Sequence, residues 1–249
     1  MTALILALIA GAVVGLTLGA LGGGGSVLAV PALIYLLGFT PAAATTASLI
    51  IVTATSVTAL YAHARAGQVR WKAGAAFAAA GILPAAAAGA AAAHLPQAVL
   101  TVAFAATAVL AAVQMLRPAH TARPGSGDVR PGKAAGAGAG LGALTGLLGV
   151  GGGFLAVPAL VTVLAFEMEA AVGTSLLIIT ANSLASLATR SGVAVSLDWS
   201  VIGPFTGSAI LGAWDGKRMA AKVSGSRLQR IFALVLLAVA VFMAADAVT

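Results

Sequence analysis

Cysteine is absent from this 249-residue chain, which excludes disulfides, thiolate metal ligands and a redox CxxC pair. Acidic residues are scarce: there are six, and the first, Asp128, lies past the midpoint. No Lys or Arg precedes Arg65. Charged residues make up 8% of the chain, against roughly 25% in an ordinary soluble domain. Such a chain cannot clothe itself in polar surface. No Ser-His-Asp grouping, HExxH pair or P-loop lysine occurs, so an enzyme is not expected, nor any catalytic residue, metal site or cofactor. What the chain does have is apolar residues, 61% of the total, with a mean hydropathy of +1.08. It reads as an all-α polytopic membrane protein, with lipid as its main solvent.

The 13 Lys and Arg give a net charge of +7. They cluster at the ends of apolar segments, where they set membrane orientation and meet lipid headgroups. No basic patch is interleaved with aromatics, so nucleic acid is not an expected partner. The N-terminus lacks the positive n-region of a signal peptide, and Met1 onward is expected to be mature protein.

The chain repeats itself. "LGGGGSVLAVPAL" (21–33) aligns without gaps on "LGVGGGFLAVPAL" (148–160), and "TTASLIIVTATS" (45–56) falls on "VGTSLLIITANS" (172–183) in the same register. Ser48, Thr53 and Ser56 meet Ser175, Thr180 and Ser183. With one inserted residue, Trp71 meets Trp199 and Phe104 meets Phe232. Two homologous transmembrane repeats follow, 1–116 and 134–249, joined by the polar linker 117–133, "RPAHTARPGSGDVRPGK", whose Pro, Gly and Ser read as a loop.

Each half holds five apolar segments, about 3–21, 26–38, 43–62, 72–93 and 97–116 in the first. The second segment is too short to cross a hydrocarbon core that needs about 20 helical residues. In the second half 136–148 and 153–165 flank the corresponding glycines. Each half therefore reads as a Gly-broken helical hairpin plus three transmembrane helices. Five segments, or three after a re-entrant hairpin, is an odd number, so the halves are expected to enter from opposite sides. Charge agrees. His63, Arg65, Arg70 and Lys72 lie between segments three and four of the first half, and "HLPQ" follows segment four. In the second half the order reverses, with Arg190 beside Asp198 first and Lys217, Arg218, Lys222, Arg227 and Arg230 next. A cytoplasmic linker with both termini outside satisfies every bias. This is an inverted repeat, as in many secondary transporters.

Glycine runs at membrane depth are tolerated only where they pack in protein or line a polar cavity. Each run here precedes a short helix whose first turn has free N–H groups and a partial positive charge. Two such helix starts in opposed halves are expected to meet near the midplane and hold an anion without a buried Lys or Arg. Gly23, Gly24, Gly25 and Ser26, with Gly151, Gly152 and Gly153, are the candidate substrate-binding residues. Glycine also serves close helix contact, and "GAGAGLGALTG" (136–146) reads as that. Pro31 and Pro158 fall inside the short helices, as shapers of the site or as kinks.

The third segments supply Ser48 and Thr53, and Ser175, Thr180 and Asn182, as further candidates. Ser and Thr can satisfy themselves on a carbonyl one turn back; the Asn182 amide cannot. No Asp, Glu or His is placed like a proton relay. His63 and Arg65 read as orientation signals, and Asp215 as an interfacial partner of Lys217 or Arg218.

The doubled "GxGGGxxxVPxL" followed by "GTSL" resembles the sulfite exporter TauE/SafE family of membrane permeases. Here it stands as "GGGGSVLAVPAL" with "TASL" and "GVGGGFLAVPAL" with "GTSL". Thr46 in the first half faces Gly173 in the second, and "GAWDGKRMA" departs from the small-residue stretch expected there. The resemblance spans nearly the whole chain. It implies a multi-pass permease of the bacterial inner membrane that moves sulfur-containing anions such as sulfite, sulfonates or sulfoacetate. The expected partners are a small anionic substrate and membrane lipid, with a coupling ion (H+ or Na+) and a homodimer compatible with the reading. The alternatives are a carrier or channel for a different small anion and a non-transporting scaffold subunit.

Overall fold

The computed structural model describes residues 2–92, 97–116, 131–148, 153–190 and 197–246. In the first half, α1 (Thr2–Leu21) is followed by α2 (Gly24–Pro31), which continues as a π-helical turn over Ala32–Leu36. Then come α3 (Pro41–Arg65), α4 (Trp71–Ala92) and α5 (Gln97–Leu116). The second half follows with α6 (Pro131–Leu148), α7 (Gly153–Thr162), α8 (Met168–Arg190), α9 (Trp199–Ala220) and α10 (Gly225–Asp246). No strand occurs among the described residues. The five segments read in each half are all present. Helix α6 starts at Pro131, inside the stretch expected as linker, because proline is well suited to the first helical position.

Local chemistry sets the helix ends. The Thr40 side chain accepts from Ala43 N (3.4 Å) ahead of Pro41, and Asp198 Oδ1 accepts from Ser200 N (3.0 Å) at the start of α9. Gly22, at φ +76°, turns the chain out of α1; a side chain there would be strained. Pro31 has no N–H to continue the helical ladder, and the π turn follows directly. The two short helices end alike. Gly38 (φ +69°) and Ala165 (φ +53°) occupy equivalent positions. Phe39 N donates to Leu33 O and Phe166 N to Leu160 O, both at 3.0 Å.

Helix pairing joins the halves. Helix α1 packs most extensively on α9 and α4 on α6, and α3 packs against α8 and α5 against α10. Exchanging the halves leaves this set of pairs unchanged. Small residues make the close pairs. A Cβ on Gly11, Gly15 or Gly19 would strike the backbone of Phe205, Ala209 or Ala213, so α1 and α9 run parallel. Gly138 against Phe77 and Gly142 against Gly81 make α6 and α4 parallel too. Such contacts let helix backbones approach where lipid supplies no hydrophobic drive.

The same contacts sort the helix ends onto two faces. The ends of α1 and α3 meet where His63 Nε2 lies 3.2 Å from Gly19 O. The start of α8 joins them through Gln68 and Glu169 (3.0 Å), and the end of α9 through Lys217 and Ala62 O. Gln229 Nε2 on α10 donates to Met115 O at the end of α5 (2.6 Å). This face thus carries the helix ends that flank 117–130, and we call it the linker face. Every described Lys and Arg except Arg190 belongs to helix ends or loops on this face. The opposite, terminal face carries the starts of α1, α3 and α9.

The outside of the bundle is apolar. Leu83, Leu211 and Val241 are 80%, 70% and 66% exposed, which lipid but not water would favour. Trp71 and Trp199 are exposed at the starts of α4 and α9, on opposite faces, as interfacial aromatics are. Helices α1, α3, α4, α8 and α10 each hold a stretch long and apolar enough to cross a membrane.

Candidate functional site

The site is built where α2 and α7 enter the bundle and touch each other, flanked by the antiparallel pair α3 and α8. The break of the first half lies against α8 of the second: a Cβ on Gly22 would collide with Ser175 Oγ and come within 3.1 Å of Val172. The Ser175 hydroxyl itself donates to Val172 O (2.8 Å). The glycine run therefore serves packing as well as conformation. Gly25 shows the packing role most clearly, since a Cβ there would strike Leu18 Cβ and Val14 O on α1.

The N–H groups are unequal candidates. Gly22 N donates to Leu18 O and Gly23 N to Leu21 O, both at 2.9 Å. Gly23, one of the substrate-binding candidates read from sequence, already spends its N–H within the chain. Gly24 and Gly25 open α2, where the ladder leaves N–H groups without intrahelical acceptors. Ser26 lies in that same first turn. Gly151 and Gly152 lie outside the described residues, and Gly153 begins α7.

Between α3 and α8, the Thr180 hydroxyl is shared between Leu176 O (2.7 Å) and Ser56 Oγ (3.0 Å). Ser56 Oγ donates to Thr53 O (3.1 Å), and Thr53 Oγ1 to Leu49 O (2.6 Å). Thr53, Ser56 and Thr180 thus form a small cross-half cluster. Ser48 and Ser175 are buried but are not brought together. Ser48 lies two turns from Ser56 toward the terminal face, and Ser175 more than one turn from Thr180 toward the linker face. Antiparallel packing places them about 20 Å apart along the helices, so one small oxyanion cannot touch both.

Asn182 sits at the depth of the Thr180–Ser56 pair. It faces a small pocket that also meets Phe77, Gly81, Gly138, Leu141, Gly142 and Ile178, from α4, α6 and α8. Its amide makes no hydrogen bond to another described residue, alone in an otherwise apolar lining. Its counterpart by repeat, Thr55, is 1% exposed and closes on Ile51 O (2.6 Å). The two halves therefore differ at this level: one is filled, the other open.

The structure also corrects the sequence reading of His63. His63 is 4% exposed, not a surface signal. Its Nδ1 lies 2.8 Å from Gln68 Oε1, and Gln68 Nε2 donates to Glu169 Oε2. Helix α3 runs three residues beyond the expected end of its segment, which carries His63 onto the helix face packed against α1. Arg65 fits the sequence reading better, stacking over Tyr61 at 5.4 Å. Asp215 pairs with Arg218 (3.7 Å), both exposed, while Lys217 turns inward to Ala62 O. No group of three or more His, Asp or Glu poised for a metal occurs among the described residues.

The profile of the family described as "Sulfite exporter TauE/SafE" matches residues 7–243. A "Probable membrane transporter protein" of Xylella fastidiosa strain 9a5c is 34% identical over 96% of this chain and 94% of its own. A protein of the same description from strain Temecula1 is 32% identical over the same shares. No solved structure matches the chain.

Proposed function

The chain belongs to the sulfite exporter TauE/SafE family of membrane transporters, and from that premise we propose a secondary carrier for a small sulfur-containing anion, such as sulfite, a sulfonate or sulfoacetate, in the bacterial inner membrane. The two halves form an inverted repeat. The parallel pairs α1·α9 and α4·α6 and the antiparallel pair α3·α8 support this, because together they bring both ends of the linker to one face. The cationic character of that face supports its being cytoplasmic.

The observation that carries the anion reading is the Gly22–Gly23 break, which starts α2 inside the bundle against Ser175 of the other half. The start of α2 leaves N–H groups without intrahelical acceptors on the linker side of the bundle, next to the break that Ser175 packs against. That environment suits an oxyanion that must be released again. The break near Ser175 and the buried Ser48 are then two stations on opposite sides of the Thr180–Ser56 level, with the Asn182 pocket at the depth between them. Rocking one half against the other would expose them in turn.

Flux of radiolabelled sulfite and of an alkylsulfonate into proteoliposomes tests this. Saturable uptake is expected, with Ser48→Ala and Asn182→Leu each weakening apparent affinity by roughly 10- to 150-fold, the worth of a hydrogen bond to a charged group. No flux of either anion, or wild-type kinetics in both variants, sinks the reading.

A further inference from the structure

His63 has oxygen acceptors at both ring nitrogens. Nε2 lies 3.2 Å from the Gly19 carbonyl, and Nδ1 lies 2.8 Å from Gln68 Oε1. The orientation of the Gln68 amide follows from Glu169, because a carboxylate only accepts. Gln68 Nε2 must therefore face Glu169 Oε2, at 3.0 Å, which leaves Oε1 for the imidazole. A neutral imidazole has one N–H and one bare nitrogen, so one contact would set lone pair against lone pair. An imidazolium donates to both. The charged groups facing the ring are Glu169 from α8 and Lys217 from α9, whose ammonium donates to Ala62 O. Helix α1 has no charged residue. In the same α3–α4 stretch, Arg65 lies over Tyr61 and Arg70 N donates to Thr174 Oγ1 (3.0 Å).

We propose that His63 is the proton-binding site of this carrier and that its proton fastens the end of α1 to the end of α3 at the linker face. The imidazole takes a proton from water on that face. With both N–H bonds made, α1 and α3 are held to α8 through Gln68 and Glu169. Loss of the proton to water leaves one nitrogen bare, gives up the longer contact to Gly19 O, and frees that end of the bundle to open. The coupling ion is then H+, and the state of His63 links anion movement to a pH gradient. The transport half of this proposal rests on the carrier reading above; the latch does not.

The chain lacks cysteine, so spin labels can be placed at will. Ala66→Cys and Met219→Cys put labels at exposed positions on the linker-face ends of α3 and of α9, the helix on which α1 packs most extensively. In lipid nanodiscs the label distance should lengthen as the pH is raised, with a single midpoint. The change should vanish in His63→Gln and persist in His94→Gln. Glu169→Gln, which releases the Gln68 amide to turn, should move the midpoint to lower pH by about one unit and serves if His63→Gln fails to fold. In proteoliposomes, His63→Gln should lose gradient-driven sulfite accumulation relative to sulfite exchange, by roughly tenfold or more. A distance that ignores pH, or one that responds equally in His63→Gln, overturns the latch. A pH-switched latch in a protein that moves no sulfite or sulfonate overturns the anion reading instead.

Discussion

Gly22 and Ser175 come from opposite halves of the chain, and Gly22 sits so close to Ser175 that any Cβ added to it would collide with the serine hydroxyl oxygen. The glycine break is thus a contact between repeats as well as a turn within one. Its removal should be felt in the packing of α8.

Gly22→Ala is expected to destabilise the fold, because it adds a side chain at φ +76°, worth about 1–2 kcal/mol, and adds the collision. Ser175→Ala should recover only the collision. Thermal unfolding of both single variants and the double variant in detergent yields a coupling energy, and strict additivity would show that the two residues do not meet.

Glycines on α6 should divide sharply. A Cβ at Gly138 would strike the backbone of Phe77, whereas nothing lies within 4 Å of one at Gly140. Gly138→Ala should lower the unfolding temperature. Gly140→Ala should leave it unchanged or raise it, helix propensity favouring Ala by about 1 kcal/mol. Equal effects at the two sites would contradict the α4–α6 seam.

Ala165 holds the left-handed conformation that its repeat partner Gly38 adopts freely. Ala165→Gly should stabilise the protein by about 0.5–1 kcal/mol, since relief of the strain exceeds the entropic cost of glycine. A lowered unfolding temperature would argue against the turn that ends α7.

The hydrogen bond between Thr180 and Ser56 crosses between the halves near the middle of α3 and α8. Thr180→Val and Ser56→Ala should show a coupling of about 0.6 kcal/mol, and no more than about 1.7, as interhelical hydrogen bonds in membranes do. A double-mutant cycle on unfolding gives the value, and zero coupling would mean that each hydroxyl serves only its own helix.

Orientation is checked by single cysteines at Gln97, Ser126 and Ser196. An impermeant thiol reagent outside the cell should label positions 97 and 196 and spare 126. Labelling of 126 alone reverses the orientation.

Much was legible in the sequence because a membrane constrains it so strongly. Few charges and long apolar runs permit little besides helices, and the gapless repeat of "LAVPAL" with its glycines placed ten segments in two matched sets. The asymmetric placement of Lys and Arg indicated which ends share a face, and the helix contacts gather those same ends. Pattern alone could not say which helix meets which. The α1–α9 and α4–α6 seams depend on glycines whose spacing fits many partners, and only the packed bundle makes those choices. Depth was equally hidden. Ser48 and Ser175 are equivalent by repeat, yet antiparallel packing of α3 on α8 carries them about 20 Å apart. His63 was misread for a related reason. In sequence it stands among cations at the end of a segment, where charge belongs at the headgroups. In the fold, α3 continues past it and the Gly19 carbonyl, Gln68 and Glu169 close around it. The sequence by itself determined helices, repeat and solvent, because those follow from hydrophobicity and backbone hydrogen bonding along the chain. Only the tertiary structure decided partners, depth and burial, because residues far apart in the chain must be in contact before those properties exist.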